Sequence, residues 1–397
     1  MKINHHVLVL GAGYTGMLCA IRLARRTRRT GIRVTLVNPS PRFTERLRMH
    51  QVVAGQELAH HPITDLLDGT GVAFVQGTAT AVDAEGRTVT VETPEGPVEL
   101  PYDSLVYALG SSTDTGTVPG ASEHAWTLNG QDAAGHFAER ISRLAARGGT
   151  VNVCGGGLTG AEAATEIAES HPGLRVTLIS RSEPGPLMNA KARAHLYAAF
   201  ERLGITLRTG CAISEVLPGG VELADGTVVP ADACLWTTGV RVPALAADAG
   251  IAVDKRGLIL VDATLRSTSH PQVHAIGDAA AVHQAWGQVH GTCQSGLPTA
   301  QYTADALARR LRGKSVKPFR FGYFHQPVSL GRRDAVIQFT YADDTPRRWF
   351  LSGKPAVAYK EFVSGSPVTL YRLGKRVYVT ATLSHGGRAT RPARTTR

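Results

Sequence analysis

The chain of 397 residues is 43% hydrophobic and carries 43 glycines and 21 prolines, which suits an α/β enzyme of two or three domains rich in turns. No apolar run approaches the ~20 residues that span a bilayer, no secretory pattern opens the sequence, and Cys19, Cys154, Cys211, Cys234 and Cys293 lack dithiol, zinc or iron–sulfur spacing; buried thiols in a reducing cytoplasm are expected, rather than a transmembrane protein, a disulfide scaffold or a metal site. The net charge of +11 is uneven, because residues 309–397 hold 19 Lys+Arg against 4 Asp+Glu; a solvated, disordered tail is expected for "GGRATRPARTTR", with an anionic lipid surface or an acidic partner as the alternative.

In chain order, "HHVLVLGAGYTGMLCAIRLARR" (5–26) reads as an apolar strand, a glycine turn and a helix of small residues. Gly11, Gly13 and Gly16, with Ala12, Tyr14 and Thr15 between them, make a G-x-G-x-x-G fingerprint. The first glycine permits the turn, the second lets backbone approach a pyrophosphate, and the third lets helix and strand pack closely. The strand that follows ends at Asn38, where such folds usually place an acid for a ribose; a carboxamide accepts the same bond without charge. Further on, "YDSLVYALGSST" (102–113) is a strand that turns on Gly110.

The plan then repeats. "VNVCGGGLTGAEAATEIAES" (151–170) has Gly155, Gly157 and Gly160, with Thr159 in the turn, and Glu162 falls in the first turn of its helix. One fingerprint is weak, whereas two copies, each between a strand and a helix, are strong and imply two dinucleotides. The next strand, "VTLISRS" (176–182), ends in Ser180 and Arg181 instead of an acid. A missing carboxylate and an added guanidinium favour the 2′-phosphate of NADPH over NADH. Later come "ACLWTTGVR" (233–241) with Gly239, "VHAIGDAAAV" (273–282) with Gly277-Asp278 read as a strand before a helix, and "GLPTAQYTADAL" (296–307), read as a helix with Pro298 at its start. "FRFGYFHQPVSLG", "DAVIQFTYA", "PVTLYRL" and "RVYVTATL" alternate apolar and polar residues and read as short C-terminal strands.

This set, in this order, resembles the two-dinucleotide flavoprotein reductases of the pyridine nucleotide-disulfide oxidoreductase superfamily, and within them the type II NADH dehydrogenases and apoptosis-inducing-factor-like oxidoreductases. "LVNPSPRFTERLRMHQVVAG", "ACLWTTGVR", "GLPTAQYTADAL" and "SLGRRDAVIQF" carry the narrower likeness, which runs from residue 5 to about 340. The resemblance implies two Rossmann-like folds, the second inserted in the first, plus a smaller C-terminal β-rich domain. FAD would use residues 1–113 and 241–318, NAD(P)H would use 114–240, and 319–397 would form the last domain. It further implies that Asp278 holds the flavin ribitol, that Ala300 and Gln301 cap the flavin, and that Glu162 helps position the nicotinamide and relay protons. Gly239 would let the nicotinamide pass, and Arg46 and Ala79 complete the expected FAD contacts.

The implied reaction passes hydride from NADH or NADPH to FAD and then to a quinone-like acceptor, in a pocket between residues 290 and 330 lined by Tyr323, Phe324 and His325. The absence of paired cysteines argues against dithiol and sulfide chemistry. Two departures stand out. Asp305 replaces a glutamine of the family's acceptor-side helix, which favours a soluble biosynthetic flavoprotein acting on a specialised metabolite. The C-terminal stretch "RRWFLSGKPAVAYKEFVSGSPVTLYRL" is broken by Gly353 and Pro355, so a membrane-lying helix is weakly drawn. A cytoplasmic location with peripheral contact to the inner face of the membrane is the expectation; a homodimer stays open, and a redox-sensing or interaction protein is the third alternative. Without aromatics interleaved on a basic helix, no specific nucleic-acid partner is expected.

Overall fold

The computed structural model describes residues 4–390; residues 391–397, most of the tail expected to be disordered, lie outside the described residues. Two five-stranded parallel sheets dominate. The first has the order Val273–Ala275, Ser104–Tyr107, His5–Leu10, Ile32–Asn38, Ala73–Gln76. The second has the order Thr206–Arg208, Arg175–Ile179, Thr150–Cys154, Ala233–Trp236, Ala125–Trp126. Their central strands are near-continuous apolar runs because both faces are covered, one by helices and the other by a three-stranded antiparallel sheet, built from residues 78–101 on the first and 213–230 on the second. Val7, Leu8, Val9 and Leu10 are fully buried, as are Val151, Val153 and Cys154.

Each central strand feeds a 13-residue helix, Tyr14–Arg26 in the first fold and Leu158–Ser170 in the second. The chain leaves the first sheet after Tyr107 and returns to it at Val273, so all of the second sheet lies between. The two crossings touch: Val240 pairs with Thr113 and Arg241 with Ser112 in a short antiparallel ladder.

The C-terminal part differs from the sequence expectation. His325–Ser329, Ala335–Thr340 and Pro346–Ser352 form an antiparallel sheet, but "PVTLYRL" belongs to a 22-residue helix, Gly353–Gly374, and "RVYVTATL" has no regular element. The residues read as breakers are accommodated. Pro355 sits in the first turn, where no N–H is required. Pro367 would orphan the Val363 carbonyl, and the Ser366 hydroxyl donates to that oxygen at 2.8 Å. The start of the tail is anchored too, since Arg320 Nε donates to Thr390 Oγ1 at 2.9 Å.

Candidate functional site

The two glycine turns are built alike. Gly11 and Gly155 have φ of +93° and +120°, conformations that disfavour a side chain. A Cβ on Gly16 would lie 1.8 Å from the Gly11 carbonyl oxygen, and one on Gly160 would lie 1.8 Å from that of Gly155. Gly13 and Gly157 instead face open space. Both precede their helix in extended conformation without a side-chain cap, and neither helix has an acid in its first turn: Glu162, expected there, is the fifth residue of Leu158–Ser170 because that helix starts two residues before Gly160. The free N–H groups and the helix dipole therefore fit phosphate at both places.

Around the first turn, Ala12 N–H donates to Asn38 Oδ1 at 2.9 Å and Asn38 Nδ2 donates to Ser40 O at 2.8 Å. Asn38 thus braces the turn itself and keeps one lone pair for a ribose. The Tyr14 ring is a correction to the expected cofactor set: it is buried edge-on against Phe43 at 5.2 Å, and its hydroxyl accepts Leu47 N–H, so only its backbone borders the turn. Thr15 reaches Gly277 and Gly296, where any Cβ would come within 3 Å of its Cγ2. Ser111 donates to Asp278 Oδ2 at 2.6 Å, and Arg46 donates to the Ser111 carbonyl. Gly110 has φ +66° and Gly277 the same. Ala79 pairs with Val91 just after Gly77, whose N–H bonds the Asn38 carbonyl.

Two expectations fail on helix geometry. Gly277–Ala279 is a 3-10 turn rather than the start of a long helix. The helix that follows is Cys293–Arg310, opened by a capping box of Thr292 and Ser295. Ala300 and Gln301 therefore lie in its interior with no free N–H to offer a flavin. Ala300 is fully buried, and Gln301 Oε1 accepts Ala381 N–H at 2.6 Å. Asp305 points the other way, to Arg22 at 2.8 Å and Arg26 at 2.7 Å on the first helix. It staples two helices, and its replacement of glutamine loses its bearing on the acceptor.

A cleft is lined by Arg46, His50 and Ser111 from the first fold and by Thr159, Glu162 and Gly239. Gly239 has φ +77°. Glu162 is the centre of a buried charge cluster. Its Oε1 lies 2.6 Å from Lys360 Nζ and accepts Ser329 N–H at 3.0 Å, and its Oε2 is 3.8 Å from His50 Nδ1. The other face of His50 meets Glu166 at 3.8 Å, and Glu166 meets Arg332 at 3.4 Å. Burial drives the His50 imidazole down to about 4 and the Glu166 carboxyl up to about 7. Burial also pushes Glu162 up, yet Lys360, His50 and the Ser329 N–H together hold it below its ordinary range. The cluster can keep a proton on Glu166 near neutrality, one turn from an ionised Glu162.

Sequence reasoning found Glu162 but missed Lys360, Glu166 and Arg332. Glu166 was findable, because i and i+4 share a helix face; Lys360 lies in a stretch that reads as a broken, weakly drawn helix whose end, "PVTLYRL", reads as strand. Past the second turn, Ser180 is buried against Gly156, while Arg181 is exposed. Tyr323 donates to the His290 carbonyl at 2.7 Å, His325 Nδ1 pairs with Tyr359 OH at 2.7 Å, and Phe324 is partly exposed. All five cysteines are free; burial pushes Cys293 up to about 12, which keeps it a thiol. Among the described residues no group of three or more His, Cys, Asp or Glu converges on a metal site.

Residues 5–301 match the family described as pyridine nucleotide-disulphide oxidoreductase. The chain is 30% identical to an NADH dehydrogenase-like protein of Mycobacterium tuberculosis over 90% of this chain and 92% of that one. It is 25% identical to a type II NADH:quinone oxidoreductase of Staphylococcus epidermidis over 93% and 96%. Its fold superposes on the solved sulfide:quinone oxidoreductase of Aquifex aeolicus with a TM-score of 0.80 at 20% identity, covering 93% and 92% of the two chains.

Proposed function

Because the chain belongs to the pyridine nucleotide-disulphide oxidoreductase family, we propose that it is an FAD-dependent NAD(P)H dehydrogenase that delivers electrons to a quinone-like acceptor. The observation that carries this reading is the pair of matched glycine turns, with Gly277-Asp278 packed on Thr15 of the first, and Thr159 and Glu162 of the second lining a cleft shared with Ser111, the partner of Asp278. FAD, when bound, supplies a carrier that takes two electrons from a nicotinamide and passes them on. The chain's own work is placement. Gly11, Gly13, Gly16 and the N-terminus of Tyr14–Arg26 would hold its pyrophosphate, Asp278 its ribityl chain, and Arg46 and Ala79 its flanks. Gly155, Gly157, Thr159 and Gly160 would hold the nicotinamide dinucleotide, and Gly239, on the cleft wall, would border the ring. Glu162, fixed by Lys360, would orient the nicotinamide. Domain limits near 113 and 240 belong to the same reading, supported by the ladder that joins the two crossings.

The exposed Arg181 and the absent acid support use of NADPH alongside NADH. Quinone as acceptor is supported by what the Staphylococcus relative is named for. Sulfide as donor is disfavoured, since Cys154 and Cys234 are buried within the second fold and no cysteine lines the cleft. Among the described residues no helix is long and apolar enough to cross a membrane. Peripheral contact is part of the proposal: Phe362 and Trp349 are 76% and 64% exposed in a basic segment, which suits an interfacial position. Liposome flotation at low salt checks this; protein that stays at the bottom contradicts it. For the acceptor, stopped-flow mixing of the reduced protein with a water-soluble quinone should show reoxidation much faster than by air. Equal rates would overturn the quinone assignment.

A further inference from the structure

Outside the nicotinamide cleft, one buried carboxylate is unused by this reading. Asp344 occupies the turn between strands Ala335–Thr340 and Pro346–Ser352 with φ +67°, where glycine is the default residue. Its side chain is only 3% exposed. Oδ2 accepts Gln326 Nε2 at 2.8 Å and meets His290 Nε2 at 3.1 Å, while Oδ1 is buried without any partner. Among the described residues His290 is the only basic side chain within 4 Å of this carboxylate. A buried carboxylate with an orphaned oxygen, held at a disfavoured backbone angle, is costly if it serves packing alone.

His290 itself is half open to solvent. Its ring stacks on Tyr323 at 4.4 Å, which sets the ring plane, the Asp344 contact sets its rotation, and the Tyr323 hydroxyl donates to the His290 carbonyl and fixes the backbone. The next residue is Gly291, where a Cβ would lie 2.6 Å from Asp278 Oδ1, the carboxylate assigned to the ribityl chain. The imidazole is thus anchored one residue from the flavin position, on the side of the C-terminal sheet. The charged and titratable groups around it are Asp344 and Tyr323 from that side, Asp278 through Gly291, and His325 beyond.

We propose that His290, oriented by Asp344, delivers the solvent-derived proton to the acceptor. The assignment rests on the quinone reading above. Converting a quinone to a hydroquinone takes two electrons and two protons. The nicotinamide supplies both electrons and one proton as hydride, so one proton must come from water. His290, resting with its proton on Nε2, takes a second proton from solvent at Nδ1 and passes it to an acceptor carbonyl oxygen: the Nδ1–H bond breaks, an O–H bond forms, and the half-open ring returns to the Nε2–H tautomer. Asp344 is the positioning residue that keeps Nε2–H turned inward and Nδ1 outward.

The test uses the full-length flavin-loaded chain, with His290→Gln and Asp344→Asn; asparagine tolerates the same backbone angle. Reduction by NADH should stay within about 2-fold of the parent, while reoxidation by a water-soluble quinone slows ~10- to 100-fold. Reoxidation by ferricyanide, which takes electrons without protons, should not change. In the protein without acceptor, nitrogen NMR should show the His290 ring as the Nε2–H tautomer in the parent and as a mixture in Asp344→Asn. Equal quinone rates in parent and His290→Gln, or an unchanged tautomer in Asp344→Asn, overturn the assignment alone. A parent protein that quinone fails to reoxidise overturns the functional reading and this assignment with it.

Discussion

The two nucleotide folds share a backbone and differ in what their helices bury. Tyr14–Arg26 buries Arg22 and gives it, with Arg26, to Asp305. Leu158–Ser170 buries Glu162 and Glu166 and draws in Lys360, His50 and Arg332. The glycine contacts match to within a tenth of an ångström at the third glycine of each turn. The two cradles are therefore alike, and the charge on the helix face behind each is what separates them.

The largest effect should come from filling the cradles. Gly16→Ala should give protein without flavin colour, because its methyl meets backbone that cannot move aside. Gly160→Ala should stay yellow but lose ~100-fold or more in reduction by NADH, read by anaerobic absorbance. Equal behaviour of the two variants would break the assignment of one dinucleotide to each fold.

Next comes the removal of one cation from each region. Lys360→Met leaves Glu162 charged and enclosed, and should cost about 3–5 kcal/mol of stability in denaturant unfolding. Adding Glu162→Gln should recover most of it. Arg22→Met should cost less, since Asp305 keeps Arg26. A larger loss for Arg22→Met would invert the comparison.

These outcomes depend on parts of the molecule that were unevenly legible in the sequence. Gly11 to Gly16 and Gly155 to Gly160 could be read because the turn's demands are local. The Glu162–Lys360 contact could not, because it joins residues far apart and Lys360 lies on a helix carrying Gly353, Pro355, Gly365 and Pro367. Those residues signal a break unless tertiary partners are known: Ser366 repairs the proline gap, and Gly365 lies against Arg48. Pro298 misled in the opposite sense. It reads as a helix start, yet the capping box at Thr292 starts the helix earlier and buries Ala300.

A smaller effect is expected with pH. Burial holds His50 and His325 at about 4 and His274 at about 3. Groups lowered in the fold stabilise it above their unfolded value of 6.5, and that contribution is lost as pH falls toward 4 and 3. Glu166, raised to about 7, acts oppositely: its contribution is present below 4.5 and is lost as pH rises through about 7. With three groups against one, the melting midpoint should fall by more than about 5 °C between pH 6.5 and 4. His50→Gln should flatten the fall, and an unchanged slope would contradict the buried neutral imidazole. The smallest change is at Arg181. Arg181→Glu should move the NADPH/NADH ratio of kcat/KM toward NADH by ~10-fold, and an unaltered ratio would show that the guanidinium reads no phosphate.

The central claim, that one dinucleotide fold feeds electrons to a flavin held by the other, is tested most directly by anaerobic titration of the purified protein with NADH and NADPH. The account requires a yellow protein whose visible flavin absorbance is lost at one equivalent of nicotinamide per chain. A protein that stays colourless after incubation with FAD, or a yellow one that neither nicotinamide bleaches, would contradict it.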